Sequence, residues 1–203
     1  MSRWYRFLYR FGITPWESDT ETVGPQLRTL LDREEGGREP PYGRALDLGC
    51  GTGRWSVELS RRGWEVVGVD VVPKAVEAAR RRAAAEGVDV EFVEGDVTAL
   101  REAGVDPAFS FFFDAECFNH LDDAQRRAVG REVNALASPD ATALLLVWTP
   151  ARRGPLPPGA NGDDLQAAFP EWRIVDEQPY EGELPGPLRR VAPRWYRLSR
   201  SGA

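Results

Sequence analysis

Ala45-Leu46-Asp47-Leu48-Gly49-Cys50-Gly51-Thr52-Gly53 is an apolar run that stops at three glycines, one at every second position. Helix-like sequence follows at once, from Arg54 to Ser60. Glycine lets a backbone turn tightly and approach a ligand with no Cβ in the way. A strand that ends in a glycine turn and enters a helix is therefore a candidate nucleotide-type site. Dinucleotide folds use Gly-x-Gly-x-x-Gly, and Gly53 followed by Arg54 breaks that spacing. A second strand-like run, Trp64 to Asp70, ends in a carboxylate. A carboxylate about 20 residues beyond the glycine turn can accept hydrogen bonds from both hydroxyls of a ribose. A third, Val90 to Val97, ends in Gly95-Asp96.

Gly-x-Gly-x-Gly after an Asp-bearing strand resembles motif I of the class I S-adenosylmethionine-dependent methyltransferases. The likeness, which extends over roughly residues 44–149, implies a Rossmann-like α/β fold. That fold has a seven-stranded sheet, mostly parallel with an antiparallel last strand, and helices on both faces. It also implies S-adenosylmethionine as cofactor. On that basis Asp47, Gly49, Cys50, Gly51 and Gly53 line the cofactor, Asp70 takes the ribose, and Asp96 lies by the adenine amino group. Val97 and Val71 cover the ring, and Ala115 completes the wall. An N-terminal segment often covers the cofactor in such enzymes, which makes Trp16 a candidate contact.

Residues 1–203 read as a single domain, with an N-terminal extension over 1–43 and a core over 44–203. Trp4, Phe7, Leu8 and Phe11 recur at helical spacing beside Arg3, Arg6 and Arg10. Three readings stay open for this segment: a helix packed on the core, a lid over the site, or an interfacial membrane helix. Val23 to Asp32 is an amphipathic helix with Leu27, Leu30 and Leu31 on one face. In the core, Pro73 suits a first helical position and Gly87 a helix end. Thr98 to Ala103 reads as a short helix. Phe109 to Asp114 is a strand buried on both faces. Asp122 to Ala137 is a helix, Ser138 to Ala141 a turn, and Ala143 to Trp148 the fifth strand. Thr149 to Gly162 is a Pro- and Gly-rich loop, and Asp163 to Phe169 a short helix. Trp172 to Glu177 and Arg194 to Ser199 form a terminal strand pair.

Hydrophobic residues make up 42% of the 203 and charged residues 29%, ordinary values for a globular protein. The net charge of −6 gives no general attraction to nucleic acid or acidic membranes. Cys50 and Cys117 form no disulfide framework and share no metal-ligand spacing with His120, the only histidine, so no metal site is expected. With no long apolar run and no signal segment, the expected setting is the reducing cytoplasm, as a monomer or homodimer with no membrane partner.

Ligands of open α/β sheets sit beyond the carboxyl ends of the strands. The stretch Asp114-Ala115-Glu116-Cys117-Phe118-Asn119-His120-Leu121 is therefore the candidate reaction face. The resemblance puts motif IV here, nearest the methyl group. The Asn/Asp-Pro-Pro-aromatic sequence of nucleic-acid amino methyltransferases is absent, so no nucleic-acid substrate is expected. Many small-molecule methyltransferases have a similar Cys-Phe-His-His-Leu, with Asn119 here at the first histidine. His120 and Glu116 are candidate bases, each weighed against a purely structural role. Cys117, Asn119 and Arg189 are candidate contacts for a small-molecule acceptor. Two other functions remain: an S-adenosylmethionine-binding module without catalysis, and an NAD-dependent oxidoreductase. The glycine spacing and the lack of a Tyr-x-x-x-Lys dyad disfavour the oxidoreductase.

Overall fold

The computed structural model describes residues 24–36, 39–149, 158–182 and 192–200. The first described helix, α1, is Pro25–Glu35. The core then alternates: β1 (Arg44–Leu48), α2 (Arg54–Arg62), β2 (Glu65–Asp70), α3 (Pro73–Glu86), β3 (Val90–Glu94) and β4 (Phe109–Ala115). A single 3-10 turn, Cys117–His120, leads into α4 (Asp123–Leu136) and β5 (Ala137–Trp148). α5 (Gly162–Ala168), β6 (Trp172–Pro179) and β7 (Pro193–Arg200) complete it.

The strands form one seven-stranded sheet in the order β3-β2-β1-β4-β5-β7-β6. β1 to β5 pair in parallel, and β7 runs antiparallel to both β5 and β6. The chain reverses its direction of travel across the sheet between β1 and β4, so the carboxyl ends of those two strands open a crevice. Each local choice has a sequence cause. Pro73 starts α3, and Gly87 ends it in the left-handed region with φ of 65°. Asp122 and Gln125 cap the start of α4 reciprocally, and Asn161 and Asp164 do the same for α5.

β4 is the central strand, and Phe109, Phe111, Phe112 and Phe113 are all buried within it. Phe112 faces α4 and α5, packed with Val129, Val133, Leu165 and Trp172. Phe111 and Phe113 face the other layer, with Leu27, Leu30 and Leu31 of α1 and Leu59 of α2. The expected apolar face of α1 is thus buried on the sheet. Glu34 fixes it there by accepting hydrogen bonds from the Arg197 guanidinium and, at 2.7 Å, from Thr142 Oγ1. Glu35 accepts from Arg62 and, at 3.2 Å, from Trp64 Nε1. This part of the 1–43 extension is core packing. Residues 1–23, which contain Trp16, lie outside the described residues, as do 150–157 and Arg189.

Two expected elements differ. Thr98 to Ala103 forms successive turns, not a helix. Asp96 Oδ1 takes the backbone N–H of Thr98 and its hydroxyl, and Glu132 takes the N–H of Arg101. The Asp96 contacts resemble a helix N-cap, but Glu132 captures the Arg101 N–H, a donor that a helix begun there would need. Ser138 to Ala141 is extended, not a turn. Ala137 already pairs with Phe109, and Arg200 donates to the carbonyls of Ala137 and Ser138, so the segment joins β5 with an irregular register. No helix among the described residues is long and apolar enough to cross a membrane.

Gly130 of α4 lies directly against the end of α5. A Cβ there would lie 1.8 Å from the carbonyl oxygen of Ala168 at the end of α5. Backbone must move to admit it. Gly130→Ala is expected to destabilise the fold by about 1–3 kcal/mol, through overpacking, even though Ala favours an exposed helix by about 1 kcal/mol. Urea melts of the two proteins measure this. A stabilised variant would show that the two helices separate freely.

Candidate active site

The glycine turn is held at three points. The N–H groups of Gly49 and Cys50 both donate to the carbonyl of Val69 at the end of β2, at 2.8 and 3.0 Å. Gly51 N donates to Asp70 Oδ2 at 3.0 Å, and the other oxygen of that carboxylate takes Val72 N at 2.8 Å. Gly49, Gly51 and Gly53 all have positive φ, at 70°, 54° and 75°. At Gly53 a Cβ would also meet Ala79 Cβ at 2.8 Å and the Phe92 ring at 2.9 Å. Glycine is required there both by conformation and by the close approach of α3 and β3.

Acidic groups crowd the strand tips. Asp47 is buried at the end of β1 and accepts 2.6 Å from Ser56 Oγ of α2. Burial first, and then the charge of Asp70, pushes its carboxyl up to about 7. Asp114, buried in β4, accepts the N–H of Phe118 at 3.1 Å and so starts the 3-10 turn. Desolvation pushes it up to about 8, with Asp47 and Glu116 adding repulsion. The Cys117 thiol sits among these groups, raised well above its ordinary value by burial and by Asp114, Asp70, Asp96 and Asp47. A thiol so placed stays protonated and is a packing group, not a nucleophile. Cys50 is raised for the same reasons and packs against Val57, Val76 and Phe92.

Most of the expected site residues are brought together around this crevice. Asp96 is half-buried in the turn after β3, Val97 is buried behind it, and Val71 and Ala115 are half-buried at the ends of β2 and β4. Asn119 is brought close but turned inward. It is fully buried, its Oδ1 accepts the N–H of Trp148 at 2.8 Å, and its amide donates to the carbonyl of Leu146. Its amide therefore ties the 3-10 turn to β5. His120 is half-buried, and burial lowers its imidazole to about 4, which leaves it neutral and weakly basic. Glu116 stands apart. Its backbone is left-handed, with φ of 81°, and its Oε1 accepts Trp148 Nε1 at 3.0 Å. Desolvation pushes its carboxyl up to about 7 against that hydrogen bond. Among the described residues no group of three or more His, Cys, Asp or Glu is placed to hold a metal ion.

Ser56 and Trp148 were not foreseen as site residues. Trp148 had a usable signal, since it ends β5 and strand ends face the crevice. Ser56, nine residues beyond Asp47, had none outside the structure.

The raised carboxyls set a sign for pH dependence. Asp47 and Asp114 bind their protons more tightly folded than unfolded. Their contribution is complete below the unfolded value of 3.8 and is lost as pH rises through about 7 and about 8. Asp114→Asn keeps an acceptor for Phe118 N and removes the charge. Its melting temperature is expected to fall less than that of the parent between pH 5 and pH 8, both in ligand-free form. Parallel curves would show that Asp114 is not the group concerned.

Comparison with known proteins bears on this crevice directly. Residues 45–140 match a family model described as a methyltransferase domain. A 2-heptyl-1-hydroxyquinolin-4(1H)-one methyltransferase from Mycobacteroides abscessus is 28% identical over 162 residues, 79% of this chain and 66% of the relative. A ribosomal RNA small subunit methyltransferase C from Alcanivorax borkumensis is 39% identical over 77 residues, 38% of this chain and 24% of the relative. The chain thus spans less than two thirds of either relative. Among solved structures, the N-methyltransferase NodS from Bradyrhizobium japonicum, in complex with S-adenosyl-l-homocysteine, superposes with a TM-score of 0.75. That alignment has 18% identity and covers 97% of each chain. The acid-rich crevice, with carboxyls pushed up by burial and then by one another, suits a cofactor that carries positive charge, and the glycine turn admits its close approach. Over residues 45–140 the chain is thus similar to a methyltransferase domain, and its sheet has the fold of NodS.

Proposed function

We propose that this chain transfers a methyl group from S-adenosylmethionine to a small-molecule acceptor. The observation that carries the reading is the tethering of the glycine turn to Asp70, which presents a carboxylate and a glycine cradle at one crevice. The small-molecule assignment is supported by the hydroxyquinolone methyltransferase, which aligns with 79% of this chain, whereas the ribosomal RNA enzyme aligns with 38%.

When bound, the cofactor supplies a methyl group on a sulfonium, open to in-line displacement. The residues of the chain divide the remaining tasks. Asp70 accepts from the ribose hydroxyls, and Asp96 and Val97 border the adenine. Asp47 and Asp114 favour positive charge in the crevice. Such a displacement needs alignment and exclusion of water, with a base where the nucleophile must lose a proton. Of the two candidate bases, Glu116 is the better matched, since a group at about 7 accepts a proton near neutrality and an imidazole at about 4 does so poorly. Trp16, Arg189 and residues 1–23 remain candidates for a cover over the acceptor. The principal rival is a module that binds the cofactor without turnover.

Calorimetry is expected to show binding of S-adenosylmethionine and S-adenosylhomocysteine and none of NAD. Asp70→Ala is expected to weaken S-adenosylhomocysteine binding by about 1.5–3 kcal/mol, the worth of hydrogen bonds to a charged group. Release of S-adenosylhomocysteine with a panel of small phenols, amines and thiols separates the enzyme from the module. Binding without release under every acceptor would favour the module, and NAD binding alone would overturn the reading.

A further inference from the structure

β4 and β5 separate at Glu116. Their parallel register runs to Ala115 opposite Leu146. Further along β5, Thr149 N donates away from β4, to the Ala192 carbonyl beside β7, so Trp148 N faces β4. A continued parallel ladder would set Trp148 opposite Cys117 and give its N–H to the Glu116 carbonyl. The chain does otherwise. Glu116 turns left-handed, with φ of 81°, and its carbonyl accepts Asn119 N at 3.2 Å. A side chain takes the place it leaves. Asn119 Oδ1 accepts Trp148 N at 2.8 Å, and Asn119 Nδ2 donates to the Leu146 carbonyl at 3.4 Å. A side-chain amide carries the donor and acceptor of a peptide group, so Asn119 extends the ladder by one rung.

This exchange decides where Glu116 points. Asn119 is fully buried, and both ends of its amide are committed to β5. If that amide were removed, the Trp148 N–H would regain a partner only by drawing the Glu116 carbonyl back into the sheet. A left-handed backbone at a non-glycine residue persists where its surroundings enforce it. Among the described residues only Ala108 shares that conformation with Glu116. The same tryptophan completes the arrangement, since its Nε1 donates to Glu116 Oε1 at 3.0 Å. Trp148 thus holds Asn119 with its main chain and Glu116 with its ring. Asp114 takes Phe118 N at 3.1 Å, which pins the 3-10 turn to β4 as well. Two other ionisable groups lie within electrostatic reach of the Glu116 carboxylate, Asp114 and the half-buried phenol of Tyr180.

We propose that Asn119 is a positioning residue for Glu116: its amide replaces the Glu116 carbonyl in the sheet and so lets the carboxylate turn onto the Trp148 indole. This rests on the reading of Glu116 as the base for methyl transfer. Asn119 touches no reacting atom and acts through Glu116 alone. An asparagine that only stabilised the fold would matter equally whatever side chain stood at 116. A positioning residue loses its effect once the carboxylate is gone.

The Trp148 indole N–H reports on the carboxylate it binds. In the nitrogen-15-labelled full chain, Trp148→Phe identifies its resonance, which is expected to titrate with a midpoint of about 7. Glu116→Gln is expected to abolish that titration, which separates it from those of Asp47 and Asp114. Asn119→Leu keeps the volume and removes the amide. It is expected to remove most of the Trp148 titration while the other indoles keep their positions. Asn119→Ser, too short to reach both groups of β5, carries the test should the leucine variant fail to fold. Asn119→Asp, held protonated by burial at pH 5, regains an acceptor for Trp148 N and a donor for Leu146. It is expected to return the indole to its parental position at that pH. With an acceptor from the panel above, Asn119→Leu is expected to slow methyl transfer about tenfold in the parent and not at all in Glu116→Gln. A parental Trp148 titration without the amide, or rate losses that add, overturns the positioning role. If no acceptor is methylated, the methyl-transfer reading falls, and the indole titration alone decides the role of Asn119.

Discussion

The carboxylate of Asp70 is gripped twice by main chain, at Gly51 on one side and Val72 on the other. It therefore joins the turn after β1 to the start of α3, and the carbonyl of the same residue receives Gly95 N from the turn after β3. Three strand tips are registered by one residue. The glycines have their left-handed geometry because this anchor demands it, and α2 and α3 begin where the anchored turn delivers them. An ordinary apolar residue at the end of β2 would leave Gly51 N and Val72 N unpaired at a half-buried site, a cost of about 1–3 kcal/mol for each such donor.

That anchor brings a penalty, since Asp47, Asp114 and Glu116 are drawn into the same low-dielectric space. Burial pushes all three carboxyls up, and like charge adds to it at Asp47 and Asp114. The rest of the molecule offsets it. The phenylalanines of β4 fill both faces of the sheet, and Glu34 and Glu35 clamp α1 across it through Arg197 and Arg62. The strained, acid-rich edge is carried by this packed core.

Much of this was legible in the chain. The glycine spacing, Asp70 at the end of a β-branched run and Gly95-Asp96 after the next marked the strand ends, because short-range backbone rules govern turns, and carried the resemblance that implied the sheet and the cofactor. Pro73 and Gly87 marked the limits of α3 for the same reason. What escaped depends on partners distant in sequence. Thr98 to Ala103 has helical composition, but Glu132, 31 residues away, takes a donor that the helix would need. Asn119 looks like a substrate contact until β5, 27 residues on, engages its amide. Trp148 reads as the apolar end of a buried strand, and Tyr180 as a residue in a connector. Their relation to Glu116 exists only once β5, β6 and β7 are laid side by side.

The glycine turn with its acids and the indole bound to Glu116 are carried by different parts of the sheet. Gly49 to Gly53, Asp70 and Asp96 belong to the β1-β2-β3 half, whereas Trp148 and Tyr180 belong to the β5-β7-β6 half, with β4 as the seam between them. The β6–β7 pair meets the rest of the sheet through a single antiparallel edge. A lineage can therefore rework one half by substitution or insertion while the other stays under unchanged selection. Divergence of this kind leaves a constant first half beside a drifting second one, and mutational tolerance in this chain should be lopsided about β4.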